Sequence, residues 1–457
     1  MTKYDAIVIG AGQAGNPLSQ KLADQGWNVA LIESDQVGGT CVNTGCTPTK
    51  TMVASAQIAH YVRNAMKWGI HTTGMRVDLA AIVARKERMV LDFRGGQERK
   101  ISARPRLRFY RARARFIAPH QLSVDGEILE SERIFIDTGM RVAIPKIDGL
   151  HKVDYLTNAT AMELREIPRH LLILGAGYIG LEFGQMFRRF GSEVTIVEHA
   201  DRIIAHEDSD VSSELRKILE DEGIRFVMGA SANRVAKRED RLQLDLEAAG
   251  RRSTIEGTHL LIATGRRPNT DDLGVEHAGL ALDDHGYIEV NGRLETNVPG
   301  VWALGDVKGG PAFTHISFND YQVVYGNLIE GKNLSIEHRL VPYSVFTDPE
   351  LGRVGMTEAE ARADGRRLKI GKIPMSRVSR ALERDETAGF MKIVIDAAED
   401  RILGAALLCT DGGELVQILG AVMMAGAPYT LLKGAVYIHP TLAEGFWTLM
   451  EDVKPVP

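Results

Sequence analysis

Residues 6–15 read Ala6-Ile7-Val8-Ile9-Gly10-Ala11-Gly12-Gln13-Ala14-Gly15, a short apolar run followed by three glycines in the spacing G-x-G-x-x-G. The run predicts a buried strand, and the residues after it a helix ending near Gly26. The arrangement returns at Leu171-Leu172-Ile173-Leu174-Gly175-Ala176-Gly177-Tyr178-Ile179-Gly180, with its helix ending near Gly191. Each helix leads into a second strand, Asn28 to Ile32 and Glu193 to Val197, and each strand runs into an acid, Glu33 and Glu198. Both acids stand 18 residues past the third glycine. One such motif is a weak signal, but two with the acid at the same offset predict a pair of dinucleotide-binding folds. The first glycine allows a tight turn, the second lets a pyrophosphate approach the backbone, and the third packs helix on strand. The helix N-terminus favours phosphate charge, and the acid accepts a ribose hydroxyl. Pro17 falls in the first helical turn, where an irregular opening is expected.

Further strand ends carry polar signatures. Ile134-Phe135-Ile136-Asp137 runs into Thr138-Gly139, Leu260-Leu261-Ile262-Ala263 into Thr264-Gly265, and Val301-Trp302-Ala303-Leu304 into Gly305-Asp306. Ligands of parallel α/β sheets meet the carboxyl ends of strands, so Asp306 is a candidate for a ligand hydroxyl.

Between the two folds' landmarks lies Gly39-Thr40-Cys41-Val42-Asn43-Thr44-Gly45-Cys46-Thr47-Pro48-Thr49-Lys50. A disulfide closing so small a ring stabilises by only roughly 2 kcal/mol, so the pair suits a two-electron store better than a staple. Lys50, one helical turn past Cys46, favours a thiolate there. The only other cysteine is Cys409, which follows an apolar run and is expected to be buried.

The chain has 457 residues, too many for one core. Its net charge of −5 argues against general nucleic-acid affinity. Three cysteines do not make a secreted disulfide scaffold, and a close pair in a reducing compartment points to catalysis or metal. No signal peptide or membrane-spanning run is evident, and a soluble cytoplasmic protein is expected. Residues 85–115 hold twelve Lys/Arg against three acids. They read as a solvated helix, then strands with Arg104, Arg106 and Arg108 on an exposed face. The last 120 residues suggest a separate α+β domain, with strands at Val341 to Phe346, Gly389 to Ile395 and Gly404 to Leu408, and an apolar helix from Glu414 to Ala425.

These motifs, ending with His439-Pro440-Thr441-Leu442-Ala443-Glu444, resemble the class I pyridine nucleotide–disulfide oxidoreductases over nearly the whole length. The Gly39 to Lys50 stretch is most similar to the mercuric reductase-like branch. The resemblance implies an α/β protein with two Rossmann-like, three-layer ββα nucleotide-binding domains and a C-terminal α+β dimerisation domain. The FAD domain would be 1–148 continued by 269–338, the NAD(P) domain 149–268, and the dimerisation domain 339–457. FAD would be held around Gly10, Gly12, Gly15, Glu33, Gly39, Thr40, Lys50, Thr138, Gly139, Asp306, Thr314 and His315. Nicotinamide dinucleotide would be held around Gly175, Gly177, Tyr178, Gly180, Glu198 and Gly265. Cys41 would attack the substrate and Cys46 lie against the flavin, with Lys50 paired to Glu182. His439 and Glu444 would form a base and its orienter, reaching the cysteines of the other subunit of a homodimer. Such chemistry needs a proton acceptor near neutrality and a carboxylate to set its tautomer.

The implied function is electron transfer from a nicotinamide through FAD to the Cys41–Cys46 disulfide, and on to a disulfide or related small-molecule acceptor. The alternatives are a metal-ion (Hg(II)/Cu(II)) or quinone reductase, a dihydrolipoamide dehydrogenase, or a flavin redox sensor. No second C-terminal cysteine pair and no amino-terminal metal-binding domain are seen. His439 also departs from mercuric reductases, and no resident metal site is expected. Tyr437 replaces a histidine usual in lipoamide dehydrogenases. Glu198 repels a 2′-phosphate, so NADH is expected, while nearby His199 and Arg202 leave NADPH possible. No nucleic-acid or membrane partner is expected.

Overall fold

The computed structural model describes residues 1–456. Ala6–Ile9 is wholly buried, as its unbroken apolar run requires, and forms the middle of a five-stranded parallel sheet. Across the sheet the order is Val301–Ala303, Ile134–Ile136, Ala6–Ile9, Val29–Glu33 and Leu107–Arg111. The helix Gly15–Asp24 follows the glycine turn and buries Leu18 and Leu22. Pro17 is third in that helix, where its missing N–H has no intrahelical partner to lose. A second layer of strands, Ala114–Ala118, Gln121–Val124 and Glu127–Glu130 with Thr2–Lys3 at its edge, covers the other face.

The architecture repeats. His170–Leu174 lies in a four-stranded parallel sheet between Glu193–Val197 and His259–Ile262, with Ile224–Val227 outermost. The helix Tyr178–Phe190 packs on it and stops at Gly191. An antiparallel meander, Ala230–Arg238, Arg241–Ala248 and Arg251–Gly257, supplies the extra layer. Both units are therefore three-layer ββα folds.

The C-terminal unit is a six-stranded antiparallel sheet. It runs Tyr343–Val345, Glu350–Gly355, Ile402–Cys409, Phe390–Asp396, Leu368–Pro374 and Lys454–Val456. The apolar helix Gly412–Met424 covers it, and Cys409 is buried beneath. Buried ion pairs tie this sheet to the second fold. Arg353 meets Glu207 at 3.0 Å, and Lys392 gathers Asp208, Asp210 and Glu358 within 3.1 Å.

The basic segment departs from the expected pattern. Its helix is Leu79–Ser102, but Arg104 and Arg106 precede the strand, since Pro105 keeps that stretch out of the ladder. Arg104 pairs with Asp24, Arg111 with Glu98, Arg113 with Asp272 and Arg115 with Glu276. Part of the positive charge is thus matched by ion pairs. Among the described residues no helix is long and apolar enough to cross a membrane.

Candidate active site

The site is built where the three units meet. Cys41 lies within the short helix Gly39–Asn43, and Cys46 is the first residue of the 19-residue helix Cys46–Asn64. A helix N-terminus favours a thiolate. The two thiols share a hydrogen bond that drives their titrations apart. The bond from Cys41 brings Cys46 down to about 6 against the opposing effect of burial, and the Thr314 hydroxyl and Lys50 charge add to it. Cys41 moves up, by the same bond and by burial, and keeps the shared proton. Lys50 favours the thiolate as expected, but after Cys41 and Thr314. The Thr314 Oγ1–Cys46 Sγ distance is 3.2 Å.

Lys50 Nζ is 2.8 Å from Glu182 Oε2, on the helix Tyr178–Phe190 of the second fold. The other Glu182 oxygen accepts the N–H of Phe346 from the C-terminal unit, and Lys50 lies 4.4 Å over the Phe346 ring. Phe313 is stacked between His315 and Tyr343, at 5.5 and 5.2 Å. Tyr178 leans on the same ring at 6.1 Å. His315 donates Nε2–H to the Pro342 carbonyl, and burial lowers its pKa, so it is a neutral, fixed ring.

These groups line one cleft of about 1340 Å³. Gly10, Gly12, Glu33, Gly39, Thr40, Thr138, Gly139, Asp306, Thr314 and His315 face it alongside both cysteines, Lys50, Glu182 and Tyr178. Glu33 holds the N–H groups of Ala11 and Asp35, which aims its carboxylate back across the glycine turn. Asp306 titrates high through burial, opposed by the charge of Arg266.

Two features show that the cleft fits an extended dinucleotide. Gly10 has φ +104°, and a Cβ on it would lie 2.1 Å from the Asp137 carbonyl oxygen, so only glycine leaves the turn bare. Arg266 reaches the Met140 carbonyl and Thr40 from the cleft wall, while its Nε is buried without a partner. An anionic ligand would satisfy it. Arg266 was not expected from sequence, although it directly follows Thr264-Gly265 at a strand's carboxyl end.

The three glycines of the second motif lie outside this cleft, while Tyr178 of the same motif faces it. There Gly175 has φ +103°, and Glu198 holds the N–H groups of Ala176 and Ala200, matching Glu33. Gly265, at φ +116°, closes the neighbouring strand end. Exposed His199 sits 2.6 Å from Glu198, and Arg202 is turned to the Ala205 carbonyl. His439 and Glu444 also stand apart from the cysteines of their own chain. His439 Nδ1–H donates to Glu444 Oε2 at 2.9 Å, and the ring is 72% exposed.

Known proteins share this arrangement. Residues 4–320 match the family described as pyridine nucleotide-disulphide oxidoreductase, and 341–450 its dimerisation domain. The chain is 38% identical to the probable pyridine nucleotide-disulfide oxidoreductase RclA of Escherichia coli, over 99% of this chain and 100% of that one. It is 36% identical to a dihydrolipoyl dehydrogenase of Thermus scotoductus, over 99% and 97%. It is 33% identical to a mercuric reductase of Lysinibacillus sphaericus, over 97% and 81%. The solved HOCl-induced flavoprotein disulfide reductase RclA from Escherichia coli superposes with a TM-score of 0.90 at 37% identity, covering 98% of this chain and 99% of that one. A Cu(II) complex of the same protein superposes equally well. The chain therefore belongs to the pyridine nucleotide-disulphide oxidoreductase family, as an FAD-dependent NAD(P)H oxidoreductase.

Proposed function

We propose that Cys41 and Cys46 are the redox-active pair of this enzyme and that it reduces a disulfide-type acceptor. The observation that carries the reading is the split between the two sulfurs. Cys46 is favoured as the thiolate by the bond from Cys41 first and then by Thr314 and Lys50, and Cys41 keeps the proton. FAD, when bound, supplies the two-electron relay between nicotinamide and the cysteine pair. Gly10, Gly12, Gly15, Gly39, Thr40, Thr138, Gly139, Asp306 and Arg266 would hold it. Gly175, Gly177, Gly180, Glu198 and Gly265 would hold NADH, with Tyr178 screening the nicotinamide pocket.

In the acceptor step Cys41 loses its proton to a base and attacks one sulfur of the substrate disulfide. That forms a mixed disulfide and expels the first thiolate. Cys46 then attacks Cys41, closes the intramolecular disulfide and expels the second thiolate. Two electrons leave the pair and reduce one S–S bond to a thiolate and a thiol, the thiol taking the Cys41 proton back from the base. The base would be His439 of the partner subunit, oriented through its bond to a carboxylate. Val436 and Ile438, in the stretch that leads to His439, and Met424, at the end of the helix Gly412–Met424, are strongly exposed, which supports burial in a homodimer. The five-, four- and six-stranded sheets support the division at 148, 268 and 338 expected from sequence, with the strand pair Met140–Val142 and Arg266–Pro268 linking the two nucleotide folds, and a reducing cytoplasm suits a cycling dithiol.

A second reading, metal-ion reduction, draws on the solved Cu(II) complex of the RclA relative, because a paired thiolate is a soft donor set. One experiment separates the two. NADH is added anaerobically and alkylatable thiols are counted, then wild type and Cys41→Ser are assayed with a disulfide, Cu(II), Hg(II) and a quinone. The disulfide reading expects two new thiols per chain in wild type, and loss of disulfide turnover in Cys41→Ser. No new thiols on reduction would refute it. Undiminished metal turnover in Cys41→Ser would favour the second reading.

A further inference from the structure

The two dinucleotide folds of this chain can be compared position by position, and they disagree at one buried residue. A Cβ on Gly10 would lie 2.1 Å from the Asp137 carbonyl oxygen, and one on Gly175 would lie 2.3 Å from that of Ala263. In both folds a Cβ on the third glycine would lie against the carbonyl oxygen of the first, at 2.1 Å for Gly15 and 2.0 Å for Gly180. Asp137 and Ala263 are therefore equivalent. The nicotinamide fold has a methyl group there, and the flavin fold has a carboxyl group.

That carboxyl is enclosed beneath the glycine turn. Oδ2 accepts the N–H of Gly15 at 2.7 Å and of Ala14 at 3.3 Å, the amides that open the helix Gly15–Asp24. A Cβ on Gly12 would lie 2.7 Å from Oδ2, and one on Gly305 would lie 2.6 Å from Oδ1. The acid thus fills the gap between the diphosphate turn and the turn bearing Asp306. In the second fold the counterpart of Gly12 is Gly177, where a Cβ would meet nothing within 4 Å.

The surrounding charges do not favour an anion. Burial raises the Asp137 pKa most, the amides of Gly15 and Ala14 pull it back, and Asp306, on the turn Gly305–Lys308, and Asp320, on the helix Thr314–Leu328, add to the rise, leaving it well above the usual carboxylate range. The nearby cations are committed elsewhere. Lys308 and Arg339 hold Asp320 at 3.3 and 2.6 Å, and Arg266 acts on Asp306. Asp137 has no ion pair among the described residues, and its partners are two backbone amides. Ionised, it would be an unpaired buried charge beside an anionic diphosphate, which desolvation and like charge both oppose.

We propose that Asp137 works in the flavin cradle as a neutral carboxylic acid, an O–H donor at the diphosphate subsite whose proton sets how tightly FAD is held. It is a positioning residue for the cofactor and takes no part in electron transfer. As pH rises through its titration the acid becomes a carboxylate, its donor is lost and repulsion replaces it. One proton is released for each flavin weakened, so the limiting slope is about tenfold in affinity per pH unit.

The test measures the FAD dissociation constant of the full-length apoprotein by flavin fluorescence, from about pH 5 to about pH 10, the range of buried carboxyl groups. Wild type is expected to weaken on the alkaline side with that slope. Asp137→Asn, which keeps the shape and cannot ionise, is expected to bind with a flat profile near the acid-side affinity of wild type. Asp306→Asn is expected to retain the wild-type slope. A wild-type affinity that is flat or tightens with pH overturns the proposal, as does a slope that persists in Asp137→Asn. If Asp137→Asn does not fold, the other two proteins still decide: a slope lost in Asp306→Asn assigns the proton to Asp306 and refutes the proposal.

Discussion

Thr314 Oγ1 lies 3.2 Å from Cys46 Sγ although 268 residues separate them. Thr314 opens the 15-residue helix Thr314–Leu328, so a hydroxyl and a helix N-terminus both face the sulfur. A hydrogen bond to a charged group is worth about 1.5–3 kcal/mol, comparable to a pKa unit or more. Thr314→Val should therefore raise the Cys46 pKa from about 6 by about one unit. In wild type the thiolate persists above about pH 6 and is lost as pH falls through that value. The variant should lose it at higher pH, and Thr314→Ser should restore the profile. The pH dependence of alkylation of the reduced enzyme measures this, and an unshifted Thr314→Val profile contradicts it.

Glu182 serves Lys50 with one oxygen and the Phe346 N–H with the other. Glu182→Gln keeps an acceptor for the amide and removes the charge. It should retain FAD while NADH-driven flavin reduction slows on the order of tenfold, equivalent to about 1.4 kcal/mol. Stopped-flow reduction gives the rate, and bound flavin per chain gives the control. Equal rates would show that the charge pair does not tune the flavin.

His439 is exposed in its own chain, and its Nε2 is free because Nδ1–H is given to Glu444. If it serves the partner's thiol, one defect can be complemented by another. Mixed dimers of His439→Ala and Cys41→Ser chains should show acceptor turnover that neither parent has, because one of the two composite sites is intact. Absence of complementation in verified mixed dimers would place the base elsewhere.

Glu198 holds two backbone amides where the ribose of the nicotinamide cofactor is expected, and Arg202 points away. Like charge set against a phosphate costs several kcal/mol. Glu198→Gln should narrow the ratio of kcat/KM for NADH over NADPH by at least about tenfold. An unchanged ratio would move cofactor choice to other residues.

Glu207 lies under Tyr343 and Arg353, and the Glu207 and Arg353 side chains are each 3% exposed. Glu207→Ala leaves a buried arginine uncompensated, at a cost of about 3–5 kcal/mol. The melting temperature of the holoenzyme should fall clearly, with the docking of nicotinamide fold on C-terminal sheet as the weak point. A variant melting with wild type would show that this contact does not hold the units together.

Much of this was readable along the chain. The two glycine turns, their acids at equal offset and the Cys41–Cys46 spacing are short-range patterns, because turn geometry and phosphate approach are set within about ten residues. The same locality misled at Arg104 and Arg106, where alternation suggested a strand and Pro105 excluded it. Arg266 and the stack of Phe313 on Tyr343 were not legible in the sequence because their partners come from other units.

From its order of residues alone this chain determines two nucleotide folds and a dithiol, since backbone freedom at glycine and the closeness of two thiols are local properties. That the Cys41 bond and Thr314 outweigh Lys50 in holding the Cys46 thiolate, and which acid lies under the diphosphate turn, was decided only by tertiary structure. Burial and charge reach a side chain from every segment packed against it. Cys46 is tuned from residue 314, and Asp137 from residues 14, 15, 306 and 320.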